Sequence, residues 1–79
     1  MKDIMTVNEA RAMLGLPERY GWKQLHAAYA RQAWAWHPDL FWGTDADMGK
    51  LNRRMALINR AYEMLRSKLF YETMAQAIG

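Results

Sequence analysis

The sequence predicts an all-α domain: two long antiparallel helices joined by a loop, with a short N-terminal helix and a C-terminal helical extension. Apolar residues recur at steps of three and four along two long segments, as in helices buried on one side. Pro and Gly lie between these segments or at the end of the chain, where they favour turns. No segment alternates apolar and polar residues in the manner of a half-buried strand.

The first helix is expected over residues 7–14. Thr6 and Glu9 have the spacing of a capping box, in which each side chain bonds a free backbone N–H of the first turn. Gly15 is placed to end this helix, since glycine readily adopts the left-handed conformation found there. Pro17 discourages any continuation.

The second helix is expected to run from about Tyr20 or Trp22 to Trp36. It stops near His37, because Pro38 disfavours helical geometry in the residue before it. One face is predicted to meet the core and consists of Trp22, Leu25, Tyr29, Ala33 and Trp36. The residues predicted to point away are Lys23, Ala27, Ala30, Arg31 and Trp34.

Residues 40–49 are predicted to form a loop, and Asp47 is placed to cap the helix that follows. The third helix is expected to begin near Lys50 and to reach about Leu69, with residues 70–78 also helical, with or without a bend. Its narrow apolar seam contains Leu51, Met55, Ile58, Tyr62, Leu65 and Leu69. Such a seam is typical of antiparallel helix pairs.

Length and composition limit the function. The chain of 79 residues is expected to form one domain over 1–79, without cysteine for disulfides or thiolate metal sites. His37 and Asp39 are the only close His–carboxylate pair, and no spacing resembles a metal site, so an enzyme, a metal and a cofactor are not expected. No apolar run approaches the roughly 20 residues that span a bilayer. We therefore expect a cytoplasmic, monomeric protein without a membrane partner.

The charge is uneven. The formal net charge is +3, and residues 50–79 contain six Lys/Arg and two Asp/Glu, a net +4. A basic region favours acidic partners or forms a solvated helix face. The basic residues of the third helix are spread over several sides, whereas a nucleic-acid reader would gather them on one face. Nucleic acid is therefore not the expected partner.

Several segments resemble the J-domain of the DnaJ family. The second helix and its ending, from Leu25 to the tripeptide His37-Pro38-Asp39, resemble the family's second helix and its His-Pro-Asp signature. The segment from Ile58 to Leu65 is similar to the third-helix pattern Ile-x-x-Ala-Tyr-x-x-Leu. Two shorter matches are Met13-Leu14-Gly15-Leu16 and Tyr71-Glu72. The resemblance covers about residues 6–72, and the flanking patterns make it far more specific than the tripeptide alone.

The resemblance implies a co-chaperone that stimulates the ATPase of a DnaK-type (heat-shock-70) chaperone. In the family, the tripeptide contacts the chaperone near the junction of its ATPase and peptide-binding domains, a role that falls here on His37, Pro38 and Asp39. The exposed side of the second helix docks on the chaperone, which here implies Lys23 and Arg31. Trp34 either anchors a partner on that side or packs down on the domain.

The sequence departs from the family at several positions. His26 and Ala30 stand where Lys or Arg is common, Gln32 replaces a usual core leucine, and Leu40 follows the tripeptide where a basic residue is typical. The shorter segment between residues 65 and 71 indicates that the family's fourth helix is fused to the third or absent.

The role of the loop aromatic residues and the function of the domain each have alternative interpretations. Phe41 and Trp42 are expected to cap the open end of the two-helix core, and the alternative is that they bind a partner. One alternative function is a J-like interaction module, of viral or phage origin, that binds a chaperone or another protein without stimulation. The other is a small basic nucleic-acid binder.

Overall fold

Helices are the only regular secondary structure in the part of the chain that the structure describes, a computed structural model covering residues 5–78, with side chains to Ala77. Helix α1 spans Val7–Leu14, α2 spans Trp22–Ala35, a 3-10 turn spans Pro38–Phe41, and α3 spans Met48–Ile78. No strand occurs among these residues. The predicted all-α class and the predicted order of the helices are confirmed.

The caps of α1 lie where the sequence predicted them. The Thr6 Oγ1 accepts a hydrogen bond from the Glu9 N–H at 3.1 Å, and the Glu9 Oε1 accepts one from the Thr6 N–H at 2.8 Å. Gly15 follows the helix with φ of 70°. In this left-handed conformation, which costs glycine little, its N–H reaches the Ala12 carbonyl at 3.2 Å. The first helix therefore begins and ends through local interactions.

Helix α2 ends close to the predicted position. The helix stops at Ala35, and Trp36 is its C-cap residue with ψ of 10°. His37 is extended, with φ of −65° and ψ of 128°, as the residue before a proline should be. The next four residues form the 3-10 turn, so the first residues of the predicted loop already have regular structure.

Helix α3 is longer than predicted at its start. It begins at Met48, two residues before the expected Lys50, and Asp47 Oδ1 accepts a hydrogen bond from the Lys50 N–H at 3.2 Å. The predicted capping role of Asp47 is thus confirmed. The helix continues for 31 residues to Ile78. The C-terminal extension is therefore part of α3, and no separate fourth helix follows it within the described residues.

Contacts between α2 and α3 establish their direction. His26 lies against Tyr62, Tyr29 against Asn59, and Trp36 against Arg54. Residues later in α2 therefore contact residues earlier in α3. The two helices are antiparallel, as predicted. Helix α1 packs on both of them.

The core is small and aliphatic. It consists of Ala10, Leu14, Leu16, Leu25, Ala28, Ile58, Ala61 and Leu65, with Leu51 buried as well. The α3 seam is confirmed, since its other members Met55, Tyr62 and Leu69 are partly buried. Trp22 and Trp36 were predicted on the core face, but each is 37% exposed. Both indoles lie at the edge of the core because α2 meets the other helices through the smaller Leu25 and Ala28.

Candidate functional site

The tripeptide His37-Pro38-Asp39 forms the corner between α2 and the 3-10 turn. Pro38 is the first residue of that turn, where its fixed φ suits helical geometry and its missing N–H loses no hydrogen bond. The His37 Nδ1 accepts a hydrogen bond from the Asp39 N–H at 3.2 Å. In the neutral ring this arrangement leaves the proton on Nε2. The histidine therefore acts as the cap of the turn and orients the residue that follows the proline.

The Asp39 carboxylate is open to a partner. Its side chain is 90% exposed, and its Oδ2 lies 3.7 Å from the His37 Nδ1. The His37 side chain is 44% exposed. A carboxylate in this position can accept paired hydrogen bonds from an arginine of another protein. His37 and Asp39 therefore present a donor-and-acceptor pair at one corner of the domain.

Trp34 belongs to the same surface. Its ring centroid lies 6.5 Å from that of His37, and the residue is 67% exposed. The alternative in which Trp34 packs down on the domain is therefore wrong. A large exposed indole beside a histidine and a carboxylate has the composition of a protein-contact surface.

Lys23 and Arg31 lie on the outer side of α2 and are exposed. At 100° per residue, Lys23, Trp34 and Arg31 fall within an arc of about 80°, on the side of the helix away from the buried Leu25. The predicted docking residues therefore share one surface with the tripeptide. This surface, formed by Lys23, Arg31, Trp34, His37 and Asp39, is called the docking face below.

Arg54 and Trp36, which the sequence analysis did not assign to the site, contact each other next to it. The Arg54 guanidinium lies 5.0 Å from the centre of the Trp36 ring, a cation–π contact. It joins the end of α2 to the first turns of α3, immediately before His37. The two residues are far apart in the sequence, and no local pattern indicates that they meet.

The loop after the tripeptide corrects another expectation. Phe41 is half-buried, but it does not belong to the side chains that pack against the core cluster. Trp42 is 87% exposed and therefore does not cap the core, while Leu40 is 45% exposed. The 3-10 turn packs against α3.

The other end of the domain contains an open groove of about 620 Å³, lined in part by Glu18, Tyr20, Lys68 and Glu72. Partial burial raises the pKa of the Tyr20 hydroxyl. A hydrogen bond to Glu72 raises the pKa of Lys68. This groove lies at the end of α2 opposite the tripeptide, and Lys68 and Glu72 are hydrogen-bonded to each other on its wall.

No group of three or more His, Cys, Asp or Glu residues between 5 and 78 is arranged to hold a metal ion. Over the same residues, no helix combines the length and the apolar character that crossing a membrane requires.

The resemblance to the J-domain rests on the residues of this chain alone. No protein-family model, no curated protein and no solved structure matches this chain.

Proposed function

We propose that this domain is a J-domain co-chaperone that binds a DnaK-type chaperone and stimulates its ATPase through His37-Pro38-Asp39. One observation carries the proposal. The tripeptide lies at the corner after an amphipathic helix, with an Asp39 carboxylate that is 90% exposed and a backbone held by His37. The family resemblance assigns the trigger to the same three residues.

Asp39 is proposed to make the contact that favours hydrolysis. Its carboxylate would accept hydrogen bonds from an arginine of the chaperone, and a hydrogen bond to a charged group contributes about 1.5–3 kcal/mol. If the contact forms only in the hydrolysis-competent state, it biases the equilibrium toward that state. Since about 1.4 kcal/mol corresponds to a tenfold change in an equilibrium constant, one such contact has a measurable effect on the rate.

The corner is ordered before any partner arrives. Pro38 restricts the backbone, and the hydrogen bond from the Asp39 N–H to His37 Nδ1 holds the His37 ring against the main chain of Asp39. Binding therefore need not order this part of the chain, which reduces the entropic cost of association.

The remainder of the docking face is proposed to orient the domain on the chaperone. Lys23 and Arg31 would face an acidic surface, and Trp34 would supply an apolar anchor next to them. Only two cations lie on this side of α2, and Ala27 and Ala30 are exposed between them. We therefore expect electrostatic attraction to be weaker than in a J-domain with a strongly basic second helix.

The experiment is single-turnover ATP hydrolysis by a DnaK-type chaperone, with and without the domain. We expect stimulation by the wild type, and none by His37→Gln or Asp39→Asn. The Asp39 side chain is exposed, so Asp39→Asn should change the free energy of unfolding by no more than about 0.5 kcal/mol. His37→Gln also removes the ring nitrogen that caps the 3-10 turn, and loss of a cap costs about 0.5–2 kcal/mol, so the unfolding temperature of this variant is measured beside its stimulation. Glu18→Gln is the matched control, because Glu18 is an exposed acid outside the docking face.

Two results would count against this function. If Asp39→Asn unfolds the domain, the tripeptide is a structural corner and the loss of stimulation says nothing about a trigger. If the wild type binds the chaperone without stimulating it, the domain is a J-like interaction module. The second possibility has an observation in its favour, since Leu40 is 45% exposed at the position where the family usually has a basic residue.

A further inference from the structure

The loop that follows the tripeptide contains the most exposed large apolar side chain among the described residues. Trp42 is 87% exposed, and Leu40 is 45% exposed. We refer to residues 39–47 as the acidic tip. An indole so fully in water leaves a large apolar area without a partner, and tryptophans of this kind are enriched among residues that dominate binding energies.

The acidic tip is an ordered loop. The Leu40 N–H donates to the His37 carbonyl at 3.0 Å, and the Thr44 N–H donates to the Phe41 carbonyl at 3.1 Å. The Thr44 hydroxyl donates to the same carbonyl at 2.7 Å and accepts from the Ala46 N–H at 3.2 Å. Gly43 has φ of 78°, a conformation that suits glycine. Because the turn is already formed, binding through Trp42 would require little additional ordering.

The charge of the tip is opposite to that of the rest of the chain. Residues 32–49 contain Asp39, Asp45 and Asp47 and no Lys or Arg, a formal charge of −3. Since the whole chain has +3, the other residues together carry +6. All three aspartates are exposed, although Asp47 also caps α3. An aromatic side chain among carboxylates fits a partner surface that is apolar and cationic.

We infer that the acidic tip, which shares Asp39 with the docking face, is a second docking surface, and that the DnaK-type chaperone meets it with an apolar recess bordered by Lys or Arg side chains. This inference rests on the proposed function. The cationic side of α2 and the acidic tip would then contact two regions of opposite charge on one chaperone. A domain rotated by half a turn would bring like charges together, so the arrangement fixes the orientation in which Asp39 is presented.

A second copy of this chain is a less suitable occupant. A loop of nine residues provides much less than the roughly 800 Å² per partner that a standard stable interface buries. Contact between two tips would also bring the carboxylates of both copies together, which is unfavourable. Contact between the tip and the basic α3 of a second copy would be attractive, and the sedimentation measurement below distinguishes it from chaperone binding.

The test is equilibrium binding of the whole chain to a DnaK-type chaperone. Trp42→Ala should weaken the affinity about tenfold or more, and Trp42→Phe should retain part of it. Tyr71→Ala is the matched control: Tyr71 is an exposed aromatic residue, 69% accessible, on the distant part of α3. Asp45→Lys should also weaken binding and slow association, and both effects should decrease with added salt. Glu18→Lys makes the same change in net charge elsewhere and should not weaken binding.

The outcomes of these measurements distinguish failure of the inference from failure of the proposed function. If the wild type stimulates the chaperone and Trp42→Ala binds as tightly, the inference is wrong and the proposed function stands. Tighter binding by Asp45→Lys than by Glu18→Lys would mean that the partner surface is acidic, which also overturns it. If the wild type neither binds nor stimulates, both proposals fail. If the wild type sediments as a dimer that Trp42→Ala dissociates, the tip binds a second copy instead.

Discussion

Replacement of Ile58 by alanine tests the core most directly. Ile58 is fully buried, in the N-terminal half of α3 and in the cluster that joins all three helices. The substitution removes three carbon atoms, which at about 0.8 kcal/mol each gives about 2.4 kcal/mol of lost transfer free energy. The cavity adds to this, and buried Ile→Ala changes cost about 2–5 kcal/mol in total. A domain of this length has only about 4–12 kcal/mol of stability.

Thermal unfolding followed by circular dichroism measures the effect. In a domain of this size each kcal/mol lowers the unfolding temperature by about 4–8 °C, so we expect a decrease of roughly 8 °C or more. Leu57→Ala is the matched control, because Leu57 is the neighbouring aliphatic residue of the same helix and is 38% exposed. It should change the temperature far less. Similar decreases in the two variants would refute the assignment of the α3 seam as the buried face.

Two further predictions concern partners. Arg31→Ala should weaken chaperone binding at low salt, with a smaller loss at high salt, whereas Trp34→Ala should weaken it at both. Two controls alter exposed residues outside the docking face: Arg53→Ala and Tyr71→Ala. If Arg31→Ala and Trp34→Ala bind the chaperone as tightly as the wild type does, the chaperone uses another surface. Binding to DNA or RNA should be weak and non-specific at physiological salt, since the net charge is only +3. A sequence-specific complex that persists in a gel shift at that salt would contradict this prediction.

The sequence was sufficient where structure depends on near neighbours. The bounds of α1 follow from Thr6, Glu9 and Gly15, each within one turn of the backbone group that it caps. The end of α2 follows from Pro38, which acts on the residue directly before it. For the same reason the cap at Asp47 was identified from residue type and position, although α3 starts two residues earlier than expected.

The apolar periodicity predicted which side of each helix faces the core, but not how deeply each side chain is buried. The seam of α3 was correct, yet Ala28 was not recognised as part of the core, and Trp22 and Trp36 were placed in it. A residue's angle on the helix says which side it lies on. How deeply it is buried depends on where the other helices cross, and small residues such as Ala28 and Ala61 allow the close approach that leaves large rings at the edge.

In the candidate site, too, local sequence determined some features and tertiary contacts determined others. Sequence alone placed Lys23, Arg31 and Trp34 on the outer side of α2 and the tripeptide at its end, because these positions depend on the helical repeat and on one proline. Tertiary structure decided that Arg54 lies over Trp36, that Phe41 is half-buried and that Trp42 remains in water. These outcomes depend on how the loop packs against α3, and contacts between residues distant in sequence leave no periodic signal in the chain.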